Sequence, residues 1–131
     1  MEIAATVRSA PDLHQVELRS GASWQSLGVP LRPTGGSLVN GGEFLMLALA
    51  TCYCNDLYRE AERLGIAIDS IEVEASASFP GPGLAASDIR YKATVSSPAD
   101  PADIARLLET TDAVAEVHNT LRSGAAVTRV H

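Results

Sequence analysis

Residues 40–65, NGGEFLMLALATCYCNDLYREAERLG, decide the reading of this chain. Asn40 can cap a helix and Glu43, three residues on, can reach back to it, the pattern of a capping box. The spacing predicts a helix from about Gly41 to Leu64. Gly65 stands at the C′ position, and Arg63 lies in the last turn, where a cation suits the helix dipole. The first half, Phe44 to Ala50, is apolar nearly all round. A helix apolar on all sides is buried on all sides. The second half is amphipathic, with Asp56, Arg59, Glu60, Glu62 and Arg63 set among Leu57, Tyr58, Ala61 and Leu64. Such a helix threads the middle of an assembly and emerges at its C-terminal end.

The period changes on either side of it. Upstream, Glu2 to Val7 and Gln15 to Leu18 read as short strands separated by a Ser-Ala-Pro-Asp turn, with a third through Trp24 to Val29. Pro30 to Gly36, with two prolines and a glycine pair, is a loop. Downstream, Ile66, Ile68, Ile71, Val73 and Ala75 fit a strand with a slip near Asp69-Ser70. Pro80 to Gly83 is a turn, and Ile89, Tyr91, Ala93 and Val95 alternate against Arg90, Lys92 and Thr94 in a return strand with one wet face. Pro101 to Thr110 reads as a short helix capped by Asp100, Asp112 to Leu121 as another, and Gly124 to Val130 as a last strand. Strands, long helix, strands, short helices and strand make an α+β fold rather than alternating βαβ units.

The chain has 131 residues, the size of one domain, and it is read as one over residues 1–131. It carries 10 Lys and Arg against 16 Asp and Glu, a net charge of −6. That balance argues against nucleic acid or an anionic membrane as partner. The apolar run Phe44 to Ala50 is far shorter than the roughly 20 residues needed to span a bilayer. No secretory signal is visible at the N-terminus, so a cytoplasmic location is expected. The two cysteines, Cys52 and Cys54, cannot build a disulfide framework or a four-cysteine zinc site on their own, and neither cofactor nor metal is expected.

Helix geometry separates the two thiols. Positions two apart on a helix point roughly 200° away from each other, which disfavours a disulfide between them. Cys54 falls with Leu57, Ala61 and Leu64 and reads as a core residue. Cys52 falls with Asp56, Arg59 and Arg63 on one side and Leu45, Ala48 and Leu49 on the other, as a thiol at the floor of an apolar cleft would. The alternative is that both are packing residues, since free cysteine is commonly buried. A reactive Cys52 needs a cation to lower its pKa. Arg59 lies about 10 Å along the same face, and Arg32 in the Pro-rich loop is another candidate. His118 could position a substrate or act as an acid; a histidine satisfied by hydrogen bonds at a helix end is the simpler role.

The stretch from Gly41 to Ile66 resembles the central helix of the OsmC/Ohr family, the osmotically induced protein C and organic hydroperoxide resistance proteins. Ile71-Glu72-Val73-Glu74 and Val117-His118-Asn119-Thr120-Leu121-Arg122 fit the family's following strand and its later Cys-Pro-Val-His-Asn-Thr-Leu segment. The resemblance runs in order from about Arg32 to the C-terminus. It implies an intertwined homodimer with the site at the subunit interface. It also implies a thiol peroxidase cycle in which Cys52 attacks a hydroperoxide with support from Arg32. Two positions depart from the family pattern. Gly42 stands where its first glutamate would be, with Glu43 at the second, and Ala115 stands where its resolving cysteine would be.

Two functions follow. One is a peroxidase for organic or small hydroperoxides, with Cys52 and Arg32 catalytic, Glu43, Asp56 and His118 binding, and an external thiol as reductant. The other is a non-catalytic homodimer that holds a hydrophobic small molecule in the interface cleft. A purely structural, partner-binding dimer is a third.

Overall fold

The computed structural model describes residues 1–130. They form three strands, a long helix, two strands and two shorter helices. The chain divides into two compact units, Met1–Phe44 and Leu45 to the C-terminus.

The first unit is an antiparallel meander. Strands β1 (Ile3–Ala10), β2 (Leu13–Ser20) and β3 (Ser23–Leu27) lie in sequence order. Ala10 pairs with Leu13 and Ser20 with Ser23, so both connections are two-residue hairpins. The second turns on Gly21 at φ +59°, the left-handed conformation such loops require. β1 and β2 extend beyond the stretches expected from alternation, because their outer residues complete the ladder whatever their side chains, whereas β3 stops at Leu27, short of the expected Val29. Pro30 to Gly36 is a loop, closed by a bridge between Leu31 and Ser37.

Helix α1 spans Gly41–Leu64, as the capping signals predict. The capping box forms in both directions: the Glu43 N–H donates to Asn40 Oδ1 at 2.8 Å and the Asn40 N–H to Glu43 Oε1 at 3.0 Å. At the other end Gly65 takes φ +70°, its N–H donates to the Glu62 carbonyl, and the Ile66 N–H reaches the Ala61 carbonyl. This is a Schellman motif.

In the second unit β4 (Ser70–Ser78) and β5 (Ser87–Ser96) form an antiparallel ribbon. Ile71 faces Val95, Val73 faces Ala93, and Ala75 faces Tyr91, so the alternating apolar residues share one face. That face packs on Tyr53, Leu57 and Ala61 of α1, on Leu107 of α2 (Pro101–Val114) and on Ala115. Helix α3 covers Glu116–Arg122.

Four expectations need correction. Residues 66–69 are not strand; Ile66 and Ile68 still pack on the core, and the slip in the pattern marks where the ladder begins at Ser70. The break between α2 and α3 falls at Ala115, where the backbone turns extended, rather than near Thr111, which is buried and donates to the Leu107 carbonyl one turn back. Asp100 precedes α2, but its side chain makes no capping hydrogen bond. Residues 125–130 form no strand: no described strand pairs with them, and Val127 and Val130 are exposed.

Burial along α1 is uneven. Leu49, Tyr53, Asp56, Leu57, Glu60 and Ala61 form the buried stripe, whereas Leu47 in the apolar half is 56% exposed. Leu57 has no accessible surface, so Leu57→Ala is expected to cost about 2–5 kcal/mol in chemical denaturation. Gly65→Ala meets no neighbouring atom, and its cost of about 1 kcal/mol comes from the left-handed backbone alone.

Candidate functional site

The site grows from the buried stripe of α1. Tyr53 lies on its centre line, which puts Cys52 on one shoulder and Cys54 on the other; both are free and half-buried. Cys54 is therefore not the core residue that its shared face with Leu57, Ala61 and Leu64 suggested. The bulkier Tyr53 takes the core, and its hydroxyl donates to the Leu108 carbonyl at 2.7 Å. Asp56 and Glu60 fall inside the stripe and not on a wet polar face. Their carboxylates are held by arginines that lean over them: Arg59 Nη2 lies 3.3 Å from Asp56 Oδ1, and Arg63 Nε lies 2.7 Å from Glu60 Oε2.

Asp56 is one turn below Cys52, and the Cys52 thiol donates to its Oδ2 at 3.6 Å. Burial pushes the thiol pKa up. The Val117 N–H at the start of α3 works in the opposite direction; the Asp56 charge and hydrogen bond add to the rise; the Glu116 N–H also lowers it. The net direction is upward, so Cys52 rests as a thiol. Helix amides on one side and a carboxylate on the other give it both a stabiliser for negative charge and an acceptor for its proton.

His118, on α3, is 3% exposed. Its ring stacks edge-on with Tyr91, centroids 4.4 Å apart, and tilts against Tyr53 at 5.7 Å. Neither ring nitrogen has a hydrogen-bond partner among the described residues. The expectation of a histidine satisfied at a helix end does not hold, because its neighbours are aromatic faces. Burial lowers its pKa, Arg122 adds to that, and Asp112 and Asp56 pull the other way. Tyr53 is pushed up to about 12 by burial, with Asp112 contributing. Each unpaired buried nitrogen costs about 1–3 kcal/mol. Beside the ring opens a cavity of about 260 Å³, lined by Leu49, Ile89, Tyr91, His118, Leu121 and Arg122.

The structure thus brings Cys52 and Asp56 together and sets both beside the segment that carries His118. Arg59, one candidate cation, is bound to Asp56 and Glu60. Arg32 is exposed in the first unit, and its Nε donates to the Gly35 carbonyl of its own loop. The Glu43 side chain is exposed and committed to the capping box. Sequence reading missed Tyr53, Tyr91, Asp112 and Arg122. Tyr53 could have been found from its i, i+4 spacing to Leu49 and Leu57, and Tyr91 from the alternation of its strand. Asp112 and Arg122 carry no local signal; they meet only through the α2–α3 turn, at 2.8 Å. Among the described residues, no group of three or more His, Cys, Asp or Glu could hold a metal ion.

A ribbon of β4 and β5 packed on one long helix is part of a fold shared with solved structures of the OsmC-like family. The chain belongs to that family, whose model, described as OsmC-like protein, matches residues 34–129. Among solved structures it is similar to an OsmC-like protein from Mycoplasma pneumoniae, with 17% identity, TM-score 0.64, 93% of this chain and 89% of that one covered. It is also similar to an organic hydroperoxide resistance protein OsmC from Legionella pneumophila, described as a predicted redox protein (16% identity, TM-score 0.61, coverage 93% and 90%). An OsmC-like protein of unknown function from Vibrio cholerae is similar at 14% identity and TM-score 0.58, with coverage of 92% and 93%. A search of curated proteins found no match. No helix is long and apolar enough to cross a membrane among the described residues.

Two outcomes follow from the electrostatics. Asp56→Asn removes a charge that disfavours the thiolate, so alkylation of Cys52 by iodoacetamide, read by mass spectrometry, is expected to shift to lower pH; an unchanged profile would separate Asp56 from the thiol. His118 has a lowered pKa in the fold. Its contribution to stability is present above the ordinary imidazole value and is lost as pH falls below about 6.5 through the folded value. Denaturation midpoints measured from pH 7.5 to 5 are expected to fall less steeply in His118→Phe than in the native chain.

Proposed function

We propose that this chain is a one-cysteine thiol peroxidase for organic or small hydroperoxides. The observation that carries the reading is the hydrogen bond from the Cys52 thiol to the Asp56 carboxylate, with the Glu116 and Val117 N–H groups lowering the thiol pKa against burial. Family membership supports the same chemistry.

The Cys52 proton passes to Asp56 as the sulfur attacks one peroxide oxygen. The O–O bond breaks, the alkoxide leaves with a proton as the alcohol, and Cys52 becomes a sulfenic acid. Sulfur is oxidised by two electrons and the peroxide is reduced by two. An external thiol then condenses with the sulfenic acid and releases water. A second thiol frees Cys52 and departs with the first as a disulfide. The external reductant is needed because Ala115 occupies the position of the family's resolving cysteine, and Cys54 projects from the other shoulder of α1. The reading includes a reducing, cytoplasmic setting and a homodimer that covers the exposed apolar part of α1 around Leu47. In that dimer Arg32 supports the thiolate, and His118 borders the substrate site.

Loss of cumene hydroperoxide in the presence of dithiothreitol tests this. Cys52→Ser is expected to fall to the buffer background and Cys54→Ser to retain most of the activity. The rate should climb as pH rises above neutrality, because the resting thiol has a raised pKa. Consumption by Cys52→Ser at the native rate would sink the peroxidase reading. A denaturation midpoint that does not vary with protein concentration would sink the homodimer.

A further inference from the structure

We propose that the cavity beside His118 binds a small carboxylic acid with a compact apolar body, its carboxylate meeting Arg122 at the rim. The six lining residues all belong to the second unit: Leu49 from α1, Ile89 and Tyr91 from β5, and His118, Leu121 and Arg122 from α3. Cys52 is not among them, and the proposal does not depend on thiol chemistry.

Three observations converge. The lining is aliphatic or aromatic except for Arg122, which is how a site for an apolar body with one polar terminus is built. His118 is more than nine-tenths buried and its nitrogens are closed off from the cavity, so its ring adds an aromatic wall and leaves the polar contact to Arg122. Arg122 is held in place by bonds to Asp112 Oδ1 (2.8 Å), the Asp112 carbonyl (3.5 Å) and Asn119 Oδ1 (3.3 Å). A guanidinium has about five N–H donors, so these three bonds leave donors free on a side chain that is half-exposed at the rim. Asp112 already offsets part of the Arg122 charge, so affinity is expected to be modest and selectivity to come from the fixed fork. At about 30 Å³ per water-sized group, the cavity takes roughly nine such groups, the size of an aromatic or branched acid rather than a long-chain lipid.

Benzoate and its neutral isostere benzamide are the probes. They are titrated into the full chain by calorimetry and by amide shift changes in NMR, without peroxide or thiol, so the outcome is separate from that of the peroxidase assay. Benzoate is expected to bind saturably, with a dissociation constant on the order of 1 mM or below, and benzamide about tenfold or more weakly than benzoate. Arg122→Gln should remove that preference. Since this change also breaks the pair with Asp112, a second variant guards against misfolding. Ile89 is 42% exposed, so Ile89→Trp can fill the cavity from its open side and is expected to abolish binding while the circular dichroism spectrum is kept. Equal binding of acid and amide, no saturable benzoate binding at 10-fold excess over the expected constant, or undiminished binding in a folded Ile89→Trp would each overturn the proposal.

Discussion

Everything in the second unit hangs on one contact: the seam where Leu57 of α1 meets Leu107 of α2 under the β4–β5 ribbon. Both leucines are wholly buried, and Tyr53, Ala61 and Ala115 close the seam around them. A two-stranded ribbon is marginal alone in water. It persists here because its alternating face, Ile71, Val73, Tyr91, Ala93 and Val95, has a helix to cover it. The same seam determines which way α1 faces, and so which of its residues are drawn into the interior.

That orientation has an electrostatic consequence. It takes two acidic side chains, Asp56 and Glu60, into the buried stripe, where they are tolerable only because Arg59 and Arg63 lie one turn away and fold back over them. It leaves Cys52 on the shoulder beside Asp56, within reach of the opening amides of α3. A thiol in that setting is not a ready thiolate, because burial and the Asp56 charge outweigh the nearby amides. His118 is the other product of the seam: packed against two tyrosines that also touch each other, it has exchanged hydrogen bonds for aromatic contact.

The long helix was fully legible because its signals are local. Asn40 and Glu43 cap it reciprocally, and Gly65 ends it in the left-handed conformation. The strands were legible in kind but not in length, since a strand runs as far as its partner's ladder does, past the alternation in β2 and short of it in β3. The terminal segment 124–130 misled because Ala, Val and Thr favour strands only when a partner edge exists, and propensity cannot report whether one does. Cys52 stood out from helix geometry, but Cys54 was misplaced, because two neighbouring residues compete for one core position and size settles which enters. Glu43 and Arg32 were named as site residues; their side chains bond locally, to Asn40 and to the Gly35 carbonyl.

By itself the sequence determined the span of the central helix, the type of the elements on either side of it up to α3, and the α+β class, because caps, periodicity and turn residues act within a few positions of one another. Only the tertiary structure decided that Asp56 is buried beside the thiol, that the start of α3 approaches the same sulfur, that His118 is left without hydrogen bonds, and that Arg122 and Tyr91 share a cavity with it. Those groups are separated along the chain by up to about seventy residues. Their meeting depends on how the ribbon and the helices pack, which short-range pattern does not encode.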